Sequence, residues 1–240
     1  MILLVDIGNS RTKYIAKSDL SLKTNILVIN NVDITMQWLN QHWLSVTSII
    51  LASVAHDNLT TLIEHWAENH SIALTIVNSE KESFGVRSHY DEPRKLGVDR
   101  WLALLGTNLL FPNENILIVD AGTATTIDCL LSSGHHKGGW ILPGLNMMIT
   151  SLDAKTANVC VETDLKAAID FATDTEHNVN NACWAATIGA IELAIKQYRV
   201  NFSRFDRLIL TGGNAEKIQS LLSQSSTVVK KLIFHGLDRY

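Results

Sequence analysis

The chain of 240 residues is 46% hydrophobic and 18% charged, with three prolines and a formal net charge of −4. That is apolar material enough for one large core or two of ordinary size, without the bias of a disordered tail. The mildly acidic balance, with Lys and Arg scattered along the chain, gives no electrostatic footprint for nucleic acid.

Apolar runs fall short of the roughly 18 residues that a membrane span requires. The sequence opens directly on an apolar strand, without the basic region and cleavage site of a leader. Cys129, Cys160 and Cys183 are odd in number and far apart, the pattern of reduced thiols. A cytoplasmic location is the expectation from these features.

In chain order, Ile2 to Val5 form a short apolar run that reads as a buried strand, followed by Asp6, Gly8, Asn9, Ser10, Arg11, Thr12 and Lys13. Residues 12–16 and 26–29 continue as strands, an antiparallel start to a sheet. Residues 32–43 have helical period with Asp33 available as N-cap, 49–54 read as a buried strand, 58–69 as a helix and 73–77 as a strand. Residues 79–94 are polar, carry Gly85 and Pro93 and lack a period. They predict a long loop, a kind of segment that is disproportionately functional. Helical pattern resumes over 99–110.

Ile116 to Val119 then repeat the opening strand, with Asp120, Gly122, Thr123, Thr125 and Thr126 in nearly the same order. The repeat predicts an α/β chain of two lobes, 1–112 and 113–240. Residues 125–131 complete the second hairpin, and His135-His136-Lys137 reads as its solvated tip rather than a metal site. A short strand lies between Gly138-Gly139 and Gly144, followed by a helix through Met147, Met148 and Leu152. A long helix is predicted over 181–198, and a strand over 207–210 that runs into Thr211-Gly212-Gly213-Asn214 and a helix over 215–222.

A buried strand, a carboxylate, a glycine and then hydroxyl or amide side chains describe a turn that can hold phosphate. Glycine permits φ > 0 and close approach of backbone N–H groups to an anion. Aspartate can hold a cation, and Ser or Thr can donate to phosphate oxygens. Neither Gly-x4-Gly-Lys-[Ser/Thr] nor Gly-x-Gly-x-x-Gly after a strand occurs, which removes weight from other nucleotide folds.

Within Tyr90-Asp91-Glu92-Pro93-Arg94-Lys95-Leu96-Gly97-Val98-Asp99-Arg100-Trp101, Gly97 permits a tight entry to the helix. Asp99 and Arg100 fall at its N-terminus, where free N–H groups favour anions. On the residues alone, Asp99 is either a base or a helix cap, and Arg100 either an anion partner or its neutraliser.

The two Asp-x-Gly hairpins and the late Thr-Gly-Gly turn resemble the superfamily of sugar kinases, actin and heat-shock chaperones. The resemblance implies a duplicated actin-like (ribonuclease H-like) ATPase fold, two lobes of mixed sheet and helices with nucleotide in the interlobe cleft. Tyr-x-x-Pro-x-x-Leu-Gly-x-Asp-Arg-Trp is similar to one family within it, the type III pantothenate kinases. The segments Asp6 to Lys13, Asp120 to Thr126, Gly138-Gly139-x-Ile141-x-Pro143-Gly144, Ser151-Leu152-x-x-x-Thr156-Ala157 and Thr211-Gly212-Gly213 follow the same family in order.

Carried over, the resemblance implies ATP-dependent phosphorylation of pantothenate to 4′-phosphopantothenate, the first step of coenzyme A biosynthesis, with Asp99 as general base. Asp6, Ile7, Gly8, Asn9, Ser10, Arg11, Thr12, Lys13 and Thr123 would contact ATP and its Mg²⁺. Tyr90, Gly97, Val98, Asp99 and Arg100 would line the pantothenate site, with Thr175 contributed across a homodimer. Asp120 would hold a monovalent cation, K⁺ or NH₄⁺. The apolar helix positions Trp184, Ile188 and Ile191 are candidates for the dimer contact. The alternatives are another small-alcohol or sugar kinase of this fold, or a noncatalytic nucleotide-binding regulator.

Overall fold

The computed structural model describes residues 1–55, 57–153, 165–202 and 205–240, so Thr156, Ala157 and Cys160 lie outside the described residues. The chain forms two compact units, Met1–Pro112 with Lys231–Tyr240, and Asn113–Lys230.

The first unit begins with β1 (Ile2–Ile7), β2 (Arg11–Ala16) and β3 (Leu27–Asn30), then α1 (Met36–His42), β4 (Ser48–Ser53), α2 (Asp57–Asn69) and β5 (Ala73–Ile76). Its sheet has the order β3-β2-β1-β4-β5. β1 runs antiparallel to β2 and parallel to β4, in a register that pairs Asp6 with Lys13 and with Ala52. β-Branched and leucine side chains fill this sheet because its central strands are covered on both faces. Leu3, Val5 and Ile7 pack with Trp43, Ile63 and Trp66 in one cluster.

The predicted helix over 32–43 starts later than expected. Asp33 lies in a 3₁₀ turn and accepts from Asn30 Nδ2 at 3.0 Å, while Thr35 caps α1 by accepting from the Trp38 N–H at 3.2 Å. A threonine hydroxyl satisfies the same orphan donor that an aspartate would. The polar stretch 79–94 holds a small hairpin, β6 (Glu82–Ser83) with β7 (Val86–Arg87), and a 3₁₀ turn at Pro93–Lys95. α3 (Val98–Leu110) follows.

The second unit repeats the plan with β8 (Ile116–Ala121), β9 (Ala124–Leu130), β10 (His136–Pro143), α4 (Leu145–Asp153), α5 (Thr175–Asn201), β11 (Arg207–Thr211), α6 (Ala215–Leu221) and β12 (Thr227–Val228). The order β10-β9-β8-β11-β12 reproduces the first sheet strand for strand. β8 is again antiparallel to its hairpin partner and parallel to the strand that arrives through helices.

Trp184, Ile188 and Ile191 are buried in this unit's own core, so they do not supply the exposed apolar face expected of them. Their i, i+4, i+7 spacing marks a buried stripe whichever partner covers it. The hairpin tip is also corrected: His135 is exposed, but His136 is buried and pairs with Asp128, Nε2 to Oδ1 at 2.8 Å.

The last ten residues correct the predicted division. α7 (Leu232–Leu237) belongs with the first unit and lies along α3. Gly106 of α3 meets the Leu232 carbonyl, and Gly236 of α7 meets the Leu102 carbonyl, each where a Cβ would collide. Two glycines on facing surfaces let the helix backbones come together, a close approach that hydrophobic periodicity does not reveal. Lys231 anchors the start of α7 by donating to the carbonyls of Asp19, Leu20 and Leu22.

Candidate active site

In the first unit, the β1–β2 turn is closed by the Gly8 N–H donating to the Arg11 carbonyl at 3.0 Å. Asn31 braces it: its Nδ2 donates to the Gly8 carbonyl at 2.7 Å, and its Oδ1 accepts from the Thr12 hydroxyl at 2.8 Å. Thr12 is therefore buried with its hydroxyl committed to the brace, and Ile7 is buried in the core, so its side chain is turned away from any ligand. Asn9, Ser10 and Arg11 are exposed, and Gly8 and Lys13 partly so. Asn31 is a supporting residue that sequence reasoning missed; nothing in its neighbourhood distinguishes it from other loop asparagines.

Asp6 is buried beneath this turn, and its carboxyl is pushed up to about 6. Burial is the largest cause, Lys13 opposes it, and the Asp99 carboxylate adds to it. A desolvated carboxylate beside a second acid is costly to ionise unless a cation joins it. Asp6 thus suits a position that faces a divalent ion.

The segment over 79–101 delivers the remaining groups of this unit. The Ser79 hydroxyl donates to the Leu96 carbonyl at 2.8 Å, Lys81 Nζ donates to the Tyr90 carbonyl at 2.8 Å, and the Tyr90 N–H donates to Ser88 Oγ at 3.2 Å. These bonds hold Tyr90 beside Arg100, whose Nη1 donates to the Tyr90 hydroxyl at 2.9 Å. Arg100 is 5% exposed, an unusually deep setting for a guanidinium.

Asp99 is partly exposed, and its Oδ1 accepts the Arg100 N–H at 2.7 Å. Gly97 caps α3 without a side chain, and a Cβ there would strike Asp99 Oδ1. The glycine is what lets the carboxylate fold back over the helix entry. Val98 is buried and anchors that entry.

In the second unit, three glycine segments close around Asp120. Gly122 N–H donates to the Ala124 carbonyl at 3.0 Å, Gly144 N–H to the Thr123 carbonyl at 3.1 Å, and Asn214 N–H to the Ala121 carbonyl at 3.2 Å. Gly212 adopts φ +85° against the Asp120 carboxylate, where a Cβ would clash with Oδ1 and with the Ala121 backbone. The segments at 120–126, 144 and 211–214 are thus one constellation. Among the described residues no cluster of three or more His, Cys, Asp or Glu is present.

Thr123 is exposed at this turn. Thr175 is exposed at the first position of α5, after the Asp174 cap.

Comparison with known proteins decides the assignment. The family model described as type III pantothenate kinase matches residues 2–197. A protein from Colwellia psychrerythraea named type III pantothenate kinase is 42% identical, covering 100% of both chains. This chain belongs to the type III pantothenate kinase family.

Solved structures agree with the duplicated actin-like kinase fold of the family. A candidate Baf family transcriptional activator from Campylobacter jejuni superposes with TM-score 0.59 at 23% identity, over 99% of this chain and 96% of that one. A candidate 2-dehydro-3-deoxygalactonokinase from Sinorhizobium meliloti gives 0.57 at 11% identity, over 100% and 97%.

As a member of this kinase family the chain uses ATP with a divalent metal. Among the described residues of this kinase, no helix is long and apolar enough to cross a membrane. A cavity of about 230 Å³ in the second unit, lined by Leu117, Ile127, Cys129, Trp140, Tyr198 and Phe202, contains none of the expected site residues.

Proposed function

We propose that this chain transfers the γ-phosphoryl group of ATP to the 4′ hydroxyl of pantothenate, the first step of coenzyme A biosynthesis, with Asp99 as general base. The reading is supported by the placement of Asp6 and Asp99, far apart in sequence, in the same unit, with the Asp99 charge among the causes that raise the Asp6 carboxyl. One carboxylate lies under a phosphate-type turn, and the other stands at a helix entry beside a buried arginine.

Phosphoryl transfer depends chiefly on positioning and charge neutralisation, because the transition state is loose. A free alcohol is a weak nucleophile. Asp99 orients the acceptor hydroxyl and takes its proton as the new O–P bond forms and the bond to the ADP oxygen breaks. Arg100, held by Tyr90, pairs with the carboxylate of pantothenate through its planar fork. Gly8, Asn9, Ser10 and Arg11 bind phosphate oxygens, with Lys13 offsetting their charge, while Ile7 and Thr12 shape the turn. Asp6 would hold Mg²⁺, which would supply neutralisation of phosphate charge.

Asp120 would hold K⁺ or NH₄⁺, and Thr123 would contact the nucleotide. Thr175 serves the acceptor site of a partner subunit in a homodimer.

The test is pantothenate-dependent ADP release with K⁺, NH₄⁺ or Na⁺ as the sole monovalent cation. Turnover that needs pantothenate and collapses in Na⁺ supports both assignments. Nucleotide binding without pantothenate-dependent release would return the chain to the class of regulators, and equal rates in all three salts would remove the cation from Asp120.

A further inference from the structure

The segment that carries Tyr90, Asp99 and Arg100 is long, mostly exposed and almost without regular structure between β5 and α3. A substrate site on such a segment needs something to fix its two ends, because ordering free backbone costs about 1–2 kcal/mol per residue. The internal bonds from Ser79, Lys81 and Ser88 fix parts of it. A group outside the segment joins both ends.

That group is the hydroxyl of Tyr240. It donates to Glu80 Oε1 at the beginning of the segment and accepts from Trp101 Nε1, at 3.1 Å, at the end. Glu80 lies between Ser79, bonded to the Leu96 carbonyl, and Lys81, bonded to the Tyr90 carbonyl. Trp101, fully buried, directly follows Arg100, which donates to the Tyr90 hydroxyl.

The Tyr240 ring meets the middle of the segment as well. It stands edge-on to Phe84 at 5.1 Å, and the Arg239 guanidinium lies over the Phe84 ring, 4.8 Å from its centroid. Phe84 adopts φ +49°, a conformation a bulky side chain avoids unless its surroundings hold it. The close packing of α7 on α3 at Gly106 and Gly236 fixes where Tyr240 arrives.

We infer that Tyr240 is a positioning residue for the acceptor substrate: its hydroxyl sets the separation of Glu80 and Trp101, and thereby the placement of Tyr90, Asp99 and Arg100. This rests on the reading that the segment over 79–101 holds the acceptor. The hydroxyl's bonds to Glu80 and Trp101 both lie on the acceptor segment, so its effect is expected chiefly on the acceptor.

The experiment compares Tyr240→Phe, which keeps the ring against Phe84, with Glu80→Ala and Glu80→Gln. Losing one or two net hydrogen bonds corresponds to about a tenfold effect. Tyr240→Phe is expected to raise KM for pantothenate about that much while KM for ATP stays within about twofold of the parent. Glu80→Ala should match it, Glu80→Gln should restore parental behaviour because the amide oxygen still accepts, and the Tyr240→Phe, Glu80→Ala pair should be no worse than the worse single change.

Hydrogen exchange of the intact protein without substrates supplies a readout independent of turnover. In Tyr240→Phe, amides of 79–101 should exchange faster while those of β1 and β2 do not. An unchanged pantothenate KM, or a rise shared equally with ATP, overturns the inference. So does unchanged exchange over 79–101. If the parent protein shows no pantothenate-dependent turnover, the activity reading fails on its own, and the exchange comparison still decides the brace.

Discussion

Asp99 and Asp6 repel each other within the first unit: the Asp99 carboxylate adds to the burial that lifts Asp6 to about 6, against the opposing pull of Lys13. A buried acid of this kind is poised for a cation, whereas the partly exposed Asp99 can meet a substrate. The two acids come from different motifs, so their coupling is a property of the fold.

The shift gives Asp6 a pH signature. Because its folded value of about 6 lies above the reference of 3.8, its contribution to stability is fully present below 3.8 and is lost as pH rises through 6. The loss amounts to roughly 3 kcal/mol when no cation is bound. In metal-free buffer, Asp6→Asn should therefore gain thermal stability relative to the parent between about pH 4 and pH 8. Adding MgATP at the higher pH should raise the melting temperature of the parent and leave that of the variant nearly unchanged. Thermal unfolding across this range checks it, and a pH-independent difference between the two proteins would contradict the burial argument.

Asp99→Asn tests the base directly. The amide can still accept the Arg100 N–H, so the helix entry and the fold should persist, but it cannot take a proton. Turnover should fall by about 10²–10⁴-fold with ATP binding unchanged. Nucleotide titration and single-turnover phosphoryl transfer separate the two effects. Near-parental transfer would reduce Asp99 to a helix cap.

Much of this arrangement is legible in the sequence because it is local. Strand, carboxylate and glycine succeed each other within a few residues, and the two sheets repeat each other as the duplicated segments require. The entry to α3 is legible for the same reason, since Gly97, Asp99 and Arg100 are neighbours. What escapes is long-range. Thr12 resembles a phosphate ligand in sequence and becomes a brace only because Asn31 arrives from beyond β3. His136 looks solvated until the register of β9 and β10 turns it onto Asp128. The return of residues 231–240 to the first unit depends on glycines of two distant helices meeting, which no period encodes. Trp184, Ile188 and Ile191 show the converse limit: an apolar stripe announces burial but not the partner that buries it.

Around Asp120 the decisive residue is Gly212. An alanine there would have to hold φ +85° and push its Cβ into the Asp120 carboxylate and the Ala121 backbone, whereas at Gly213 the same Cβ meets nothing within 4 Å. Left-handed backbone costs a residue with a Cβ about 1–2 kcal/mol before any clash. Gly212→Ala should therefore displace Asp120, weakening half-maximal activation by K⁺ about tenfold or more and lowering stability by roughly 2–4 kcal/mol. Gly213→Ala should leave both near the parent. Cation titrations of activity, paired with thermal shifts, check the contrast; equal behaviour of the two variants would show that the carboxylate is not held by the glycine cradle.

The contact of α3 with α7 gives a prediction in which two effects oppose each other. Glycine in a helix is ordinarily about 1 kcal/mol worse than alanine, so Gly→Ala stabilises where space permits. Gly189 on α5 has open space, and Gly189→Ala should raise stability by about 0.5–1 kcal/mol. Gly106 has the Leu232 carbonyl in the way, backed by the Gly236 N–H, both backbone groups that cannot swing aside. Overpacking of that kind costs about 1–3 kcal/mol and outweighs the gain in propensity. Gly106→Ala should thus destabilise the protein, measured as a lower denaturation midpoint, and should speed hydrogen exchange in 231–240 more than in the second unit. A stabilised Gly106→Ala protein would show that the two helices can separate without cost, and with them the tie from Tyr240 to the acceptor segment.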